Sequence, residues 1–421
     1  MRRRDIVAAV LIVAFGIALL QLPQARILDG LSLDYLFWLR YTIYGQRHLP
    51  ASSPTVVVAI DEETFRTKPF SEIPVALWTP QLARVVRALL TAHAKVIGLD
   101  LILPTSAEPI RPGYDRDLLL TLREGSKEGR IVLAKVQSES KPISPFPAQS
   151  FAVGNSRNIR AVNFFVQYDD VVRSVPILFE SENADLGVRR EPSFALELAA
   201  RASRVSVAPV LNGVAFGERF IPGSESNTLR INFDGGASIP TYSFADLSAC
   251  AQARRDQYFN SHFKDKVVLI GSVLDLEDRK LTSKRLIAGG DSAVSSDRCF
   301  LRSPADIARQ DVARDQIPSV YIHAAAINEL LRGEMLHEPS AVASVAMTAA
   351  LAAAVVASLF MLPVSVGIGA TLLEMMLWVG ISTIMVRHNW VLPMLPAVVG
   401  AAGCGVAIVG FRVFVSDRDK R

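Results

Sequence analysis

The chain has 421 residues, half of them hydrophobic, and its formal net charge is only +4. This length allows two or three domains, and the hydrophobic share is typical of a protein with several membrane spans. The weak net charge and the lack of a Lys/Arg patch interleaved with aromatic residues exclude nucleic acid as the expected partner.

The first element is an uncharged run over residues 6–25, which follows Arg2, Arg3 and Arg4. A cleaved signal peptide and an uncleaved membrane span both show this pattern. The run has about 20 residues, which is longer than a signal core and long enough to cross a bilayer. We therefore predict that residues 1–25 form a cytoplasmic N-terminus and a first transmembrane helix, because flanking basic residues stay in the cytoplasm.

Residues 28–44 have apolar positions at helical spacing and predict a helix that continues from the first span. Apolar β-branched runs then alternate with helical segments. The runs at 54–60, 95–103 and 131–136 predict buried strands, and the segments at 79–92 and 115–124 predict the helices between them. This order is typical of a parallel sheet with right-handed crossovers and with helices on its faces.

The middle of the chain has a different pattern. Strand-like runs joined by turn signals lie at 161–165, 171–179 and 229–233, and they predict an antiparallel extension of the sheet. The apolar run at 266–272 predicts one more buried strand. Residues 275–316 are polar, and a loop of this length is usually functional or disordered. Together these elements predict an α/β domain over residues 26–338.

Three apolar runs follow, at residues 341–362, 364–386 and 390–415. Each has about the 20 residues that cross a hydrocarbon core, where backbone groups must bond within their own segment. We predict three transmembrane helices over residues 339–415 and the start of a cytoplasmic linker at 416–421. With the first span this gives four transmembrane helices. We therefore predict a protein of the bacterial inner membrane with both termini in the cytoplasm and the α/β domain in the periplasm.

The three cysteines fall in two environments. Cys250 and Cys299 lie in the segment predicted to be outside the cytoplasm, where a disulfide can persist, and we hypothesise that they are bridged. Cys404 lies in the last apolar run and is interpreted as a small packing residue.

Five segments, taken in order, resemble a known family. They are VVVAIDEETF (56–65), KVIGLDLIL (95–103), PSFALELAAR (192–201), FKDKVVLIGS (263–272) and VYIHAAAINELLRG (320–333). With one span before them and three after, they resemble the type-two CHASE domain, a sensory extracellular domain associated with cyclases and histidine kinases. The chain departs from the family at Leu77-Trp78-Thr79-Pro80-Gln81, where an aromatic-Pro-aromatic-Pro-Arg pattern is common.

The resemblance implies an input module for a cytoplasmic enzyme, such as a nucleotide cyclase, a histidine kinase, a Ser/Thr kinase or a diguanylate cyclase. Residues 413–421 are similar to the helical linker that precedes a class III cyclase domain. Three interpretations stay open: a sensor whose output domain is in cis or in trans, the input half of an adenylate or guanylate cyclase, and a passive membrane scaffold. We expect a homodimer with an unknown periplasmic ligand or protein partner.

The residues 1–421 contain no Gly-x-Ser-x-Gly elbow, no Walker loop and no His-Glu-x-x-His motif, so the sequence predicts no catalytic site, cofactor or metal. Asp61 and Asp100 lie near predicted strand ends, where parallel sheets bind ligands. With Glu62 and with His323, which is on or just after an apolar strand, they could line a pocket for a cation or a polar ligand. The alternative is that the aspartates cap loops or helices and that the histidine is structural.

One ionisable residue, Glu374, lies in the middle of a predicted span. Such a group usually faces a bundle interior or a polar partner, so Glu374 could couple helix packing to signalling, or it could only pack. Gly400, Ala401, Gly403 and Gly405 in the last span permit close helix contact, either between two copies of the chain or within one.

Overall fold

The computed structural model describes residues 3–138, 142–183, 187–223, 227–277, 279–287, 292–294, 297–300 and 316–419. The chain divides into two compact units. One, here called the α/β unit, is Gln46–Met335, and the other, the helical unit, is Met1–Gly45 with Leu336–Arg421.

The strands all lie in the α/β unit. They are β1 (Thr55–Ile60), β2 (Val96–Asp100), β3 (Ile131–Lys135), β4 (Ile159–Ala161), β5 (Val171–Val172), β6 (Ser174–Pro176), β7 (Leu178–Asn183), β8 (Gly187–Pro192), β9 (Val207–Val210), β10 (Gly213–Phe216), β11 (Arg219–Pro222), β12 (Thr228–Arg230), β13 (Ile239–Ser243), β14 (Val267–Ser272), β15 (Arg279–Thr282), β16 (Ser292–Val294) and β17 (Gln316–Pro318).

The helices are divided between the two units. The α/β unit contains α3 (Glu62–Arg66), α4 (Thr79–Thr91), α5 (Arg116–Lys127), α6 (Pro147–Ala152), α7 (Phe194–Ser203), α8 (Phe244–Gln252), α9 (Asp256–Phe263) and α10 (Ser319–Arg332). The helical unit contains α1 (Arg3–Leu20), α2 (Arg26–Tyr44), α11 (Ala341–Met361), α12 (Val364–Arg387) and α13 (Met394–Asp419).

A seven-stranded sheet in the order β16-β13-β1-β14-β2-β3-β4 forms the centre of the α/β unit. Every neighbouring pair in it is parallel. The residues of β1 are all buried, and so are all but the last residue of β14, because runs of β-branched and apolar side chains can be covered on both faces of a parallel sheet. The predicted parallel sheet with helices is confirmed.

The predicted antiparallel extension is wrong in its placement. The remaining strands pair in smaller sheets of their own, ordered β11-β10-β9, β12-β6, β17-β15-β5 and β7-β8, and each pair is antiparallel except β5 with β15, which is parallel. Half of these pairs, β9 with β10, β10 with β11 and β7 with β8, join strands that are adjacent in sequence, so they satisfy each other's backbone groups locally without an edge of the main sheet. The predicted loop 275–316 contains β15 and β16, and its residues 301–315 lie outside the described residues.

The two faces of the main sheet are covered by different helices. On one face, Val58 and Ile270 share a buried cluster with Leu82 of α4 and Phe263 of α9. On the other face, α7 and α10 pack against the sheet. Gly98 of β2 permits this packing, because a Cβ there would lie 2.6 Å from Leu198 Cδ1 and 2.8 Å from Phe194 Cζ.

His323 lies inside α10, not on or just after a strand as predicted. The helix begins at Ser319, directly after Pro318. The β-branched residues before His323 suggested a strand, but burial against the sheet stabilises the helix despite their weak helical propensity.

The helical unit contains three helices long and apolar enough to cross a membrane, namely α11, α12 and the Met394–Val413 part of α13. Helix α1 and the segment Pro23–Tyr44 would make a fourth if they are counted together as one broken span. They meet at an angle of 75°. The helix predicted to continue from the first span is therefore separate from it, because Pro23 lacks the N–H that would extend α1.

Candidate functional site

Asp61 ends β1 and caps α3. Its carboxylate accepts hydrogen bonds from Thr64 N at 2.8 Å, from Thr64 Oγ1 at 2.7 Å and from Ser243 Oγ at 3.1 Å. Burial raises the pKa of Asp61, and the hydrogen bonds from Thr64 oppose that rise. The carboxylate therefore stabilises the first turn of α3 and binds the last residue of β13.

The neighbouring acidic residues bind loops. Glu62 Oε1 accepts a hydrogen bond from Asp275 N at 2.9 Å, and Glu63 pairs with Arg298 at 2.6 Å. Asp100 is half-buried at the end of β2 and has interactions of its own. Asp61 and Glu62 are thus held by different segments of the chain.

His323 has aromatic neighbours instead of these carboxylates. It is 3% exposed, and its ring centroid lies 4.5 Å from that of Phe164 and 5.3 Å from that of Phe194. Burial lowers the pKa of His323 to about 3, although the Val162 main chain favours the charged form. Among the described residues, neither ring nitrogen has a partner in hydrogen-bond geometry. The imidazole is therefore neutral at physiological pH.

Cys250 of α8 and Cys299 are joined by a disulfide, with their Cα atoms 5.8 Å apart. Asp246, one turn earlier in α8, accepts hydrogen bonds from Cys299 N and Phe300 N, each at 2.9 Å. Together with the Glu63–Arg298 ion pair, these bonds fasten residues 297–300 to α8 and α3.

A second charged group, which the sequence did not indicate, joins residues from the beginning, the middle and the end of the α/β unit. His48 Nδ1 is 2.9 Å from Asp234 Oδ1, and His48 Nε2 is 3.2 Å from Glu334 Oε1. Arg47 also binds Glu334, at 2.8 Å, and Arg332 lies 3.5 Å from Asp234. We call these five residues the His48 cluster.

The His48 cluster borders a small polar cleft. The cleft is lined by Asn232, Asp234, Ser238, Ala325, Asn328, Glu329, Arg332 and Glu334. Asn328 is buried and donates to Ser53 Oγ at 3.1 Å, while its Oδ1 atom has no hydrogen-bond partner in the part of the chain that the structure describes. The partners of His48 lie 186 and 286 residues away in sequence, so no local pattern could have found them.

The model of the CHASE2 domain family matches residues 7–363, which include the whole α/β unit. This chain belongs to the CHASE2 family. The resemblance stated from the sequence is therefore confirmed, and CHASE2 is an extracellular sensory domain. No curated protein and no solved structure matches the chain.

In the part of this CHASE2 chain that the structure describes, no group of three or more His, Cys, Asp or Glu side chains is arranged to hold a metal ion. The carboxylates near β1 and in the His48 cluster have N–H, guanidinium or imidazole partners instead.

Glu374 lies near the middle of α12 in the helical unit. Ser358 Oγ of α11 donates a hydrogen bond to Glu374 Oε1 at 2.6 Å, and among the described residues the buried Oε2 has no hydrogen-bond partner. Close packing of α13 depends on small residues. A Cβ at Gly400 would lie 2.7 Å from Leu20 Cδ1, and one at Gly405 would lie 3.3 Å from Leu359 Cδ1, whereas Gly403 faces open space. Gly400 and Gly405 thus serve contacts within one chain.

Proposed function

We propose that this CHASE2 chain is a membrane-bound sensor that receives a stimulus in the periplasm and relays it to a cytoplasmic output. The observation that carries this proposal is the connectivity: the α/β unit is one continuous insertion between α2 and α11. A change in how the first and last residues of that unit are held is therefore passed directly to apolar helices.

The relay would be a shift between two packings of the α/β unit, one of which the stimulus favours. We further propose a homodimer in the bacterial inner membrane, because two copies allow helices to move against each other. The stimulus would be a periplasmic ligand or protein, and the output domain would act in cis or in trans.

The proposed topology has four spans, both termini in the cytoplasm and the α/β unit outside. Arg2, Arg3 and Arg4 before the first apolar run support it, since basic flanks stay inside. The test is labelling of single cysteines in intact spheroplasts with a membrane-impermeant maleimide, in a Cys404→Ala background. Lys264→Cys, at an exposed site, should be labelled, and Ser416→Cys should be labelled only after lysis. Labelling of Lys264→Cys only after lysis would end the proposal; the alternative probe position Arg309 lies outside the described residues.

A cyclase output in cis has specific support. Helix α13 continues to Asp419, beyond the apolar part that ends at Val413, as a helical connection to a further domain would require. The test is a fusion of residues 1–421 to a class III cyclase catalytic domain in a bacterium that lacks its own cyclase. Cyclic AMP that changes when the His48 cluster is altered by Glu334→Gln would support the relay. Unchanged output in well-folded variants would favour a passive scaffold.

A further inference from the structure

We propose that His48 is a proton-binding site, and that its protonation ties the first and last residues of the α/β unit together. The proton would then be a stimulus of this module, and that consequence rests on the proposed function. The proton binding itself rests only on the geometry of the His48 cluster.

The geometry is a two-sided bridge. Both ring nitrogens of His48 face carboxylate oxygens, Asp234 Oδ1 at 2.9 Å and Glu334 Oε1 at 3.2 Å. The His48 side chain is 20% exposed, so protons reach it, while Asp234 is only 9% exposed. The site is therefore sheltered enough for its bonds to matter and open enough to equilibrate with solvent.

Elementary hydrogen-bond chemistry makes this bridge dependent on the proton. An ionised carboxylate only accepts hydrogen bonds, and a neutral imidazole has one N–H and one lone pair. Only the imidazolium form can donate to Asp234 and to Glu334 at the same time. In the neutral form one of the two nitrogens would direct its lone pair at a carboxylate, and that side of the bridge would open.

The charged groups around the bridge do not use all the hydrogen-bond acceptor positions of the two carboxylates, so an imidazolium can bind both. Arg47, beside His48, binds Glu334, and Arg332 of α10 lies at Asp234. Each carboxylate can accept about four hydrogen bonds, so one guanidinium partner does not saturate it. Glu329 of α10 accepts from Asn232 N at 3.0 Å, and Lys284 Nζ donates to Gly236 O at 2.8 Å beside Asp234.

The bridge joins the segments by which the chain enters and leaves the α/β unit. His48 is the third residue of the α/β unit and Glu334 is the last but one. The Gln46 side chain, which donates to Ala237 O at 2.8 Å, holds the same entry segment to the loop that carries Asp234. Histidine changes charge between about pH 5 and pH 8. Acidification outside the cell would therefore close the bridge between the two ends of the unit.

The first test is a pH titration by NMR of the full chain in nanodiscs, with ¹³C-labelled histidine. The chain has six histidines, and the His48 signal is the one lost in His48→Gln. We expect Glu334→Gln to move the pH midpoint of this signal downward, since an anionic acceptor is removed. The exposed His93, assigned with His93→Asn, is the control whose midpoint should not move. A His48 signal that does not change over this range, or the same midpoint in Glu334→Gln, would overturn the proposal.

A second measurement separates a proton switch from a merely structural cluster. The unfolding equilibrium constant of His48→Gln, relative to the wild type, should be about tenfold larger at about pH 5 than at about pH 8, because the charged bridge exists only at the lower pH. Arg190→Gln removes the cation of the exposed Arg190–Glu180 ion pair, outside the His48 cluster, and should give the same ratio at both pH values. A ratio for His48→Gln that does not depend on pH would contradict the switch.

The two proposals fail differently. If His48 titrates as expected and the cyclase fusion ignores external pH, the relay of this stimulus is overturned and the proton site stands. If His48 does not titrate, the proton site is overturned, whatever the fusion does in response to Glu334→Gln.

Discussion

Two charged regions of the α/β unit, the acidic run after β1 and the His48 cluster, are built in opposite ways. Asp61, Glu62 and Glu63 are consecutive, and Asp61 binds the first turn of the helix that it begins. The His48 cluster collects residues from the beginning, the middle and the end of the unit. The Asp61 cap acts within the first turn of its own helix, whereas the His48 bridge joins distant residues and can open while the strands and helices stay intact.

The acidic run and the His48 cluster therefore differ in what their contacts can do. Asp61 and Glu62 are expected from the sequence to line a ligand pocket with Asp100 and His323. In the structure they accept hydrogen bonds from Thr64, Ser243 and Asp275. The His48 cluster has a partly exposed titratable group and connects both ends of the unit. Trp78 makes the comparison measurable, because it is buried in the α/β unit and Trp38, Trp378 and Trp390 all lie in the helical unit. Replacing those three by Phe leaves a fluorescence reporter of unfolding in the α/β unit alone.

The largest effect is expected from the disulfide that fastens residues 297–300 beside the acidic run. Replacing Cys250 and Cys299 by serine should lower the free energy of unfolding by about 4 kcal/mol, since the bridge closes a loop with a sequence separation of 49 residues. Chemical denaturation followed by Trp78 fluorescence measures this loss. A reductant should destabilise the wild type and leave the double variant unchanged. Equal mobility of the wild type on reducing and non-reducing gels after thiol blocking would contradict the bridge.

Asp61→Ala should cost about 2–3 kcal/mol of unfolding free energy, because it removes a helix cap and leaves Thr64 and Ser243 donors without their acceptor. The same denaturation assay measures it. The matched control is Asp117→Ala. Asp117 lies in the first turn of α5 and is exposed, so its loss should cost only a few tenths of the unfolding free energy that Asp61→Ala costs. If Asp61→Ala left stability unchanged and instead abolished a response to a polar ligand, the pocket reading would replace the capping role.

Gln46→Ala should cost about 1 kcal/mol, since it removes two hydrogen bonds from a half-buried amide, to His48 O and to Ala237 O. Unlike His48→Gln, it should cost the same at low and at neutral pH, because an amide does not titrate. Denaturation at two pH values checks this. A loss that grew as the pH fell would mean that Gln46 is part of the proton switch.

The smallest effect is a pH slope at Asp61. Because burial raises the pKa of Asp61, the folded state keeps a proton on this carboxyl at pH values at which the unfolded chain has lost it. The free energy of unfolding should therefore fall as the pH rises from the ordinary aspartate pKa through the raised one. Asp61→Asn keeps the cap without the charge and should flatten that slope, which thermal unfolding at a series of pH values would reveal. An unchanged slope would show that other groups cause it.

The sequence predicted the elements whose pattern is strong within a short window. The β-branched runs of β1, β2, β3 and β14 gave buried strands, and their alternation with helices gave a parallel sheet. It failed where two local structures compete, as at Val320 and Ile322, whose β-branched side chains suggested a strand although burial makes them helical.

What the amino-acid order determined alone is the family, the parallel sheet and the apolar helices, because hydrophobic periodicity and backbone hydrogen bonding act over a few residues. The tertiary structure alone decided which distant charges meet. The antiparallel strands formed sheets of their own, and His48 came between Asp234 and Glu334. Such pairs form because strand pairing across the fold brings remote segments together, and no property of either segment specifies its partner.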